Sequence, residues 1–314
     1  MNILIAGGAG FIGVNLAKEL LKQGHIITVL DNFITSDKRN IQKFLKNKNL
    51  ELIECDISKE LPSKIKKTNF EQIYDLACPT GVPNLIKLGK EMLLTSSLGV
   101  LNLLDFAKTN NAVFLYSSSS EVYGDPKVHP QNEEYTGNVD PTGLRSTYEE
   151  GKRFGESLTV FYTRKYKVKT KIVRIFNTYG PWMSFTDSRV IPKMINQALT
   201  NKPITVSGRG TQKRTFCFVD DTVTGLILTM NSKDYNPVYN LGSDRETSII
   251  DLAKLIKLTT KSKSKIVFAE RPEHDHNSRM PDLTKLRKLG WKPTISLKYG
   301  LARTLDWADS YLWQ

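Results

Sequence analysis

The sequence predicts an α/β fold built on a doubly wound parallel sheet, with a smaller α/β lobe attached. Three observations carry this. Short apolar runs alternate with helical periodicities through the first half of the chain. The first run ends in a glycine-rich turn, Gly7-Gly8-Ala9-Gly10-Phe11-Ile12-Gly13, that opens a helix. The alternation then breaks at Gly180-Pro181, after which polar, glycine-interrupted segments follow. Strands joined by helices pair in parallel through right-handed crossovers, which gives the sheet its two helical layers.

The first strand is expected over Asn2 to Ala6, and Leu16, Leu20 and Leu21 recur at helical spacing after the turn. Strand, glycine turn and helix together form the phosphate-binding unit of a Rossmann fold. Gly7, Gly10 and Gly13 let the backbone approach a pyrophosphate and pack helix against strand, and the helix N-terminus faces the phosphates with Phe11 and Ile12. The second strand, Ile26 to Leu30, ends at Asp31-Asn32, about 20 residues beyond the turn, where a carboxylate accepts the ribose hydroxyls. That carboxylate disfavours a 2′-phosphate and selects NAD, while Lys38 and Arg39 nearby leave NADP open.

Further strands are expected over Glu51 to Ile53, leading to Asp56-Ile57, and over Gln72 to Leu76, leading to Ala77. A long helix is predicted from about Leu85 to Lys108, carrying Thr95, and a strand over Val113 to Ser117. Asp56 and Ala77 either line an adenine and a nicotinamide pocket or serve as ordinary loop and core residues. Ile57, Leu76 and Thr95 complete the expected cofactor set.

The segment from Ser117 to Lys152 concentrates chemistry: Ser117 to Ser120, then Glu121-Val122-Tyr123-Gly124, then Tyr148-Glu149-Glu150-Gly151-Lys152. On a helix Tyr148 and Lys152 share a face. A lysine ammonium beneath the phenol would lower its titration from about 10 toward neutrality and make it a general base. A serine hydroxyl at the strand end would bond the same substrate oxygen.

After a strand over Lys171 to Phe176 the chain is expected to leave the nucleotide domain at Asn177. A helix over Val190 to Leu199, a strand over Ile204 to Val206 and the Gly208-to-Arg214 segment suit an anion-binding lobe, with Arg209 and Arg214 able to clamp a diphosphate. The expected partition is an NAD-binding domain over 1–176 with returning segments at about 215–242 and 282–314, and a substrate-binding lobe over 177–214 and 243–281. The lobe holds a helix and strand within Ile249 to Glu270, and an amphipathic helix around Leu301 to Trp307 closes the chain. His274 and His276 have no third ligand signalled beside them, so no metal is expected. Arg279, beside a Met-Pro turn, is aimed either at a substrate carboxylate or at a salt bridge.

A formal net charge of +13 over 314 residues comes from scattered lysines, with no stripe interleaved with aromatics, so no nucleic-acid face is expected. No apolar run reaches the roughly 18 residues that a membrane span needs, and the chain enters its first strand directly. A cytoplasmic location is expected. Cys55, Cys78 and Cys217 form no CxxC pair and suit reduced thiols.

The glycine turn, Asp31-Asn32-Phe33, Ser119-to-Pro126, Tyr148-to-Arg153, Arg174-to-Pro181 and Gly290-to-Pro293 resemble the extended short-chain dehydrogenase/reductase family of nucleotide-sugar enzymes along essentially the whole chain. Within it the resemblance is closest to the UDP-glucuronate decarboxylases, or UDP-xylose synthases. It implies catalytic roles for Ser119, Glu121, Tyr148, Lys152 and Arg279, with Tyr148 and Lys152 also beside NAD. It implies substrate contacts from Ser120, Asn177, Arg189, Val190, Gln212 and Arg214. A nucleotide-sugar substrate, most often a UDP-sugar, and a homodimer through the Leu85–Lys108 and Tyr148 helices are also implied. Ser120 before Glu121 departs from the Asp-Glu of the sugar dehydratases. Tyr74-Asp75-Leu76-Ala77-Cys78-Pro79 departs from the Tyr-His-Leu-Ala-Ser-Pro of the decarboxylases, and Ser207 replaces their tyrosine beside the nucleotide. A nucleotide-sugar 4-epimerase, needing only Ser119, Tyr148 and Lys152, is the alternative. A non-catalytic dinucleotide sensor, needing only the glycine turn and Asp31, is a remote one.

Overall fold

A computed structural model describes residues 1–184, 187–235, 237–270 and 279–312. Seven parallel strands form the central sheet: β1 Asn2–Ala6, β2 Ile26–Asp31, β3 Leu50–Glu54, β4 Gln72–Asp75, β5 Val113–Ser119, β6 Thr170–Ile175 and, returning much later, β11 Val238–Leu241. Their order is β11-β6-β5-β4-β1-β2-β3, so the strand order reverses between β1 and β4 and opens a crevice above their carboxyl ends. Side chains alternate across the sheet. Ile3 and Ile5 pack on one face with the Phe11–Lys22 and Val219–Asn231 helices. Leu4 and Ala6 pack on the other face, beneath Val100, Leu103 and Leu104 of the Val100–Asn110 helix and Tyr162 of the Ser146–Tyr166 helix.

Outside this sheet lie three strand pairs: β7 Thr178–Tyr179 with β10 Cys217–Phe218, β8 Ile204–Ser207 with β13 Ile266–Ala269, and β9 Lys213–Thr215 with β12 Glu246–Ser248. The Val190–Leu199 helix lays Ile191, Met194, Ile195 and Ala198 against Ile204, Val206 and Ile256, so these elements share an apolar core with one face of the main sheet. The segment holding His274 and His276 lies outside the described residues. No described helix is long and apolar enough to cross a membrane.

The long helix expected over Leu85 to Lys108 is broken. A short Asn84–Lys87 helix ends at Leu88, a second begins at Gly89, and a π-turn over Thr95–Gly99 interrupts the run before Val100–Asn110. Apolar periodicity does not record such breaks, because the π-turn adds a residue without removing the apolar face. Close approach explains their position: a Cβ at Gly89 would lie 3.3 Å from Thr147, and one at Gly99 would lie 2.9 Å from Ile57.

The Ser146–Tyr166 helix runs 21 residues and stops where Lys167 turns left-handed at φ 59°. It lies tight on β5, because a Cβ at Gly155 would come 2.2 Å from the Tyr116 hydroxyl, and Tyr116 is itself buried. Gly155→Val should therefore destabilise the protein by about 1–3 kcal/mol in chemical unfolding, the range for overpacking a closed core. An unchanged midpoint would mean that the helix is not held at this distance.

Candidate active site

The glycine turn is built by hydrogen bonds before any ligand is considered. Gly7 N–H donates to the Leu30 carbonyl at 2.7 Å with φ +72°, and Val14 N–H donates to Gly10 at 2.9 Å to begin the helix. A Cβ at Gly13 would lie 2.2 Å from the Gly7 carbonyl, and one at Gly7 would lie 2.8 Å from the Ala77 backbone, so both positions require glycine. Asp31, at the end of β2, is buried and accepts from Ala9 N–H at 3.0 Å, Phe33 N–H at 2.9 Å and Ser36 Oγ at 2.7 Å.

Above this turn opens a cleft. Of the expected cofactor residues, Gly7, Gly10, Asp31, Asn32, Asp56, Ile57, Leu76, Ala77 and Thr95 line it; Phe11, Ile12 and Gly13 lie behind it in the turn and helix start. A cleft lined by a glycine turn and by the carboxylate that ends β2 suits an adenine dinucleotide lacking a 2′-phosphate. The two cations that left NADP open are engaged elsewhere. Lys38 pairs with Glu54, and Arg39 pairs with Asp37.

At the end of β5 the serine run turns into a 3₁₀ segment, Ser120–Tyr123, capped by Ser119, whose Oγ accepts from Glu121 N–H at 3.3 Å. Gly124 closes the turn at φ +58°, with Asn138 O only 2.0 Å from where a Cβ would stand. The Ser119 hydroxyl eases ionisation of the neighbouring half-buried Tyr148 phenol, so the two expected hydroxyls are neighbours. Lys152 behaves differently from expectation. Its ammonium is buried, donates to the Ser117 carbonyl at 2.8 Å and lies 4.9 Å from the Tyr116 ring centre. One helical turn places Tyr148 and Lys152 on one face, and the lysine donates to the strand carbonyl from there. Burial, then the neighbouring Cys78, pushes the Tyr148 phenol above its ordinary value, where a downward shift had been expected.

Glu121 stands between two guanidiniums. One carboxylate oxygen takes Nη1 of Arg279 and the other takes Nη2 of Arg145. Arg145 is further held by Glu149, whose Oε1 accepts from its Nε at 3.1 Å. Arg279 is 5% exposed and gives Nη2 to the Gly124 carbonyl at 2.6 Å, while its buried Nε has no hydrogen-bond partner in the structure. The flanking backbone is strapped to Gln131: Met280 N–H donates to Gln131 Oε1 at 2.9 Å, and Asp282 N–H to the Gln131 carbonyl at 2.7 Å. Burial works against the Arg145 charge, but Glu121 and Glu149 more than offset it and hold the guanidinium above its ordinary value. Burial and then Glu121 push the Glu149 carboxyl upward against Arg145.

A hydroxyl pair, a fixed lysine and a buried arginine–carboxylate cluster thus meet at the carboxyl ends of β4 and β5, next to the cleft lined by the glycine turn and Asp31. The model of the NAD dependent epimerase/dehydratase family matches residues 3–242. The chain belongs to that family. It is 43% identical over 306 residues to UDP-glucuronic acid decarboxylase 1 of Xenopus tropicalis, covering 97% of this chain and 71% of that protein. It is 42% identical over 302 residues to UDP-glucuronic acid decarboxylase 4 of Arabidopsis thaliana, covering 96% and 67%. In structure it is similar to a UDP-glucose 4-epimerase from Thermotoga maritima solved with UDP-glucose, at TM-score 0.90 and 28% identity, covering 99% and 100% of the two chains. It is likewise similar to the UDP-glucuronic acid 4-epimerase of Bacillus cereus in complex with UDP-glucuronic acid and NAD, at TM-score 0.88 and 27% identity, covering 99% of each.

This member of the epimerase/dehydratase family places the expected substrate residues unevenly. Ser120 is buried beside Ser119. Arg189 caps the Val190 helix from outside, paired with Asp187, and its charge reaches the Tyr148 phenol. Val190 is half-buried at the first helical position. Asn177 is exposed, its amide 3.4 Å from the Thr215 carbonyl on β9; Gln212 is buried against the Ser207 carbonyl at 3.0 Å, and Arg214 bonds the Lys213 carbonyl at 2.8 Å. None of these last five lines the cofactor cleft. Arg145 was missed by sequence reasoning. Its signal was the Arg145/Glu149 pair at i,i+4 just ahead of Tyr148. The described residues hold no cluster of metal-ligating side chains.

Asp75 ends β4 beneath this cluster at 1% exposure; Oδ1 accepts from Ala77 N–H at 3.2 Å, and Oδ2 has no partner in the structure. Burial pushes its carboxyl up to about 6, against the pull of the Lys152 ammonium. A folded-state value above the unfolded one means that ionisation opposes folding, so this contribution is favourable below about pH 4 and is lost as pH rises through about 6. Asp75→Asn should consequently gain stability relative to the parent between pH 4 and pH 8 by on the order of 2–3 kcal/mol. A difference that stays constant across that range in paired unfolding curves would contradict it.

Proposed function

We propose that the protein is an NAD-dependent UDP-glucuronate decarboxylase that forms UDP-xylose through a 4-keto sugar with no net redox change. The observation that carries this reading is the Glu121–Arg279 pair standing beside the Ser119–Tyr148 hydroxyl pair: the hydroxyls serve any 4-oxidation, and the buried arginine serves a carboxylate. The decarboxylases among its relatives support it.

Gly7, Gly10 and Asp31 would hold the pyrophosphate and ribose of NAD, with Ala77 and Thr95 along the cleft. Bound there, NAD would supply the hydride acceptor for C4 of the sugar and, once reduced, the hydride that returns to it. Tyr148 removes the 4-hydroxyl proton while Ser119 hydrogen-bonds that oxygen, and Lys152, fixed to Ser117, supplies the nearby positive charge. The 4-ketone lies β to the C6 carboxylate. Breaking the C5–C6 bond releases carbon dioxide and sends the electron pair to the 4-oxygen, where Tyr148 and Ser119 stabilise the enolate as an oxyanion hole does. Arg279 positions the carboxylate, and Glu121 directs expulsion of carbon dioxide and the arrival of a proton at C5.

We assign nucleotide-sugar binding to the 177–214 and 243–281 lobe with Ser120, Asn177, Arg189, Val190, Gln212 and Arg214, and dinucleotide binding to 1–176 with its returning segments. Three unpaired thiols support a reducing, cytoplasmic setting. A homodimer is supported by Leu93, Leu98, Phe154 and Phe161, which are 43–51% exposed along the Gly89–Asn110 and Ser146–Tyr166 helices. Native mass measurement at micromolar concentration is expected to give twice the chain mass; a monomer would refute the assembly.

With UDP-glucuronate, the unmutated protein should release carbon dioxide and yield UDP-xylose. Tyr148→Phe is expected to abolish both the transient NADH absorbance and gas release. Glu121→Ala should still reduce NAD but release carbon dioxide at least about a hundredfold more slowly, the low end of general acid–base contributions. Conversion of UDP-glucuronate only to its 4-epimer would replace the decarboxylase with an epimerase.

A further inference from the structure

Resting on the decarboxylase reading, we infer that Arg145, seated by Glu149, is a positioning residue that carries the charge of Glu121 and so makes Arg279 available to the carboxylate of the substrate. The relevant geometry is a fork at each side of one carboxylate. Arg279 approaches Glu121 from the strap on Gln131, and Arg145 approaches from the start of the Tyr148 helix. Arg279 has spent Nη1 on Glu121 and Nη2 on Gly124, which leaves Nε buried and unbonded. A buried guanidinium N–H without an acceptor is costly, and a charged acceptor relieves that cost most.

Were Arg279 the sole counter-ion of Glu121, a second carboxylate arriving beside it would meet an unneutralised like charge. Arg145 lessens that obstacle, because it bonds the other Glu121 oxygen, while Glu149 on the same guanidinium has its carboxyl pushed upward by burial. Its planar fork spans Glu121 and Glu149 at once, so the contact is fixed in direction as well as in charge. Glu149 is 5% exposed and bonds Arg145 across one helical turn, which keeps the guanidinium on Glu121. The arrangement makes Arg145 a determinant of selectivity for an acidic sugar over a neutral one, acting through Glu121 and Arg279.

The test compares UDP-glucuronate with UDP-glucose, which has the same nucleotide and ring but no carboxylate. Binding of each to the NAD-loaded protein is measured by calorimetry in a Tyr148→Phe background, with KM and kcat for carbon dioxide release measured on the protein with Tyr148 intact. Arg145→Met is expected to weaken UDP-glucuronate at least about tenfold and to leave UDP-glucose within about twofold. Arg145→Lys, which keeps the charge but loses the fork, should recover part of the difference. Glu149→Gln, which keeps the shape beside Arg145, should shift the ratio in the same direction by less and serves if Arg145→Met does not fold. Equal losses for both sugars, or an unchanged ratio in a folded variant, would overturn the inference. Because the binding ratio is read in a Tyr148→Phe background that cannot turn UDP-glucuronate over, absence of carbon dioxide from the parent would sink the decarboxylase reading alone.

Discussion

The bond from the Lys152 ammonium to the Ser117 carbonyl ties the Tyr148 helix to the end of β5, and the site is arranged around that tie. A buried ammonium must be compensated, and here a strand carbonyl and the Tyr116 ring provide the compensation. The tie is possible only because the helix lies close to the sheet, with Gly155 over Tyr116 and Gly151 near Ser96. Larger residues at those two positions would lift the helix, separate Tyr148 from Ser119 and draw Lys152 out of reach of β5.

A second constraint acts at the mouth of the same strand. Gly124 turns the chain where no side chain fits, so Glu121 is presented into the site on a short 3₁₀ segment. Two arginines from distant parts of the sequence converge on it, one from the helix start and one from the strap on Gln131. Gln131 is fully buried and is tied to the sheet edge through Asn240 on β11, whose amide reaches the Gln131 carbonyl at 2.9 Å. The last strand of the sheet therefore helps to orient Arg279. Burying such ion pairs costs desolvation that their attraction does not reliably repay, so the cluster is better understood through substrate recognition than through stability.

The local chemistry of the chain was legible in order. The glycine turn, Asp31, the serine run and the Tyr148/Lys152 spacing each carry their meaning within a few residues, because turns, strand alternation and helical periodicity are short-range properties. The same signals yielded six strands of the parallel sheet and most of the cofactor cleft, while the seventh, Val238–Leu241, returns from far along the chain and was not read. The helix break at Leu88 and the π-turn at Thr95–Gly99 were not legible, since apolar residues continue through both and the breaks answer to Thr147 and Ile57 far along the chain.

Sequence alone thus determined which groups are present: a dinucleotide turn with a ribose-reading carboxylate, and a tyrosine, lysine, serine, glutamate and arginine suited to nucleotide-sugar chemistry. Tertiary structure decided which partner each group keeps. Lys152 binds a strand carbonyl, Tyr148 is pushed upward by burial, and Glu121 is shared between Arg279 and the unforeseen Arg145. The physical reason is range. Hydrogen bonds and ion pairs form between whatever the packed fold brings within about 3 Å, and burial then sets their strength, so partners 24 and 158 residues apart in the chain leave no periodic trace in it.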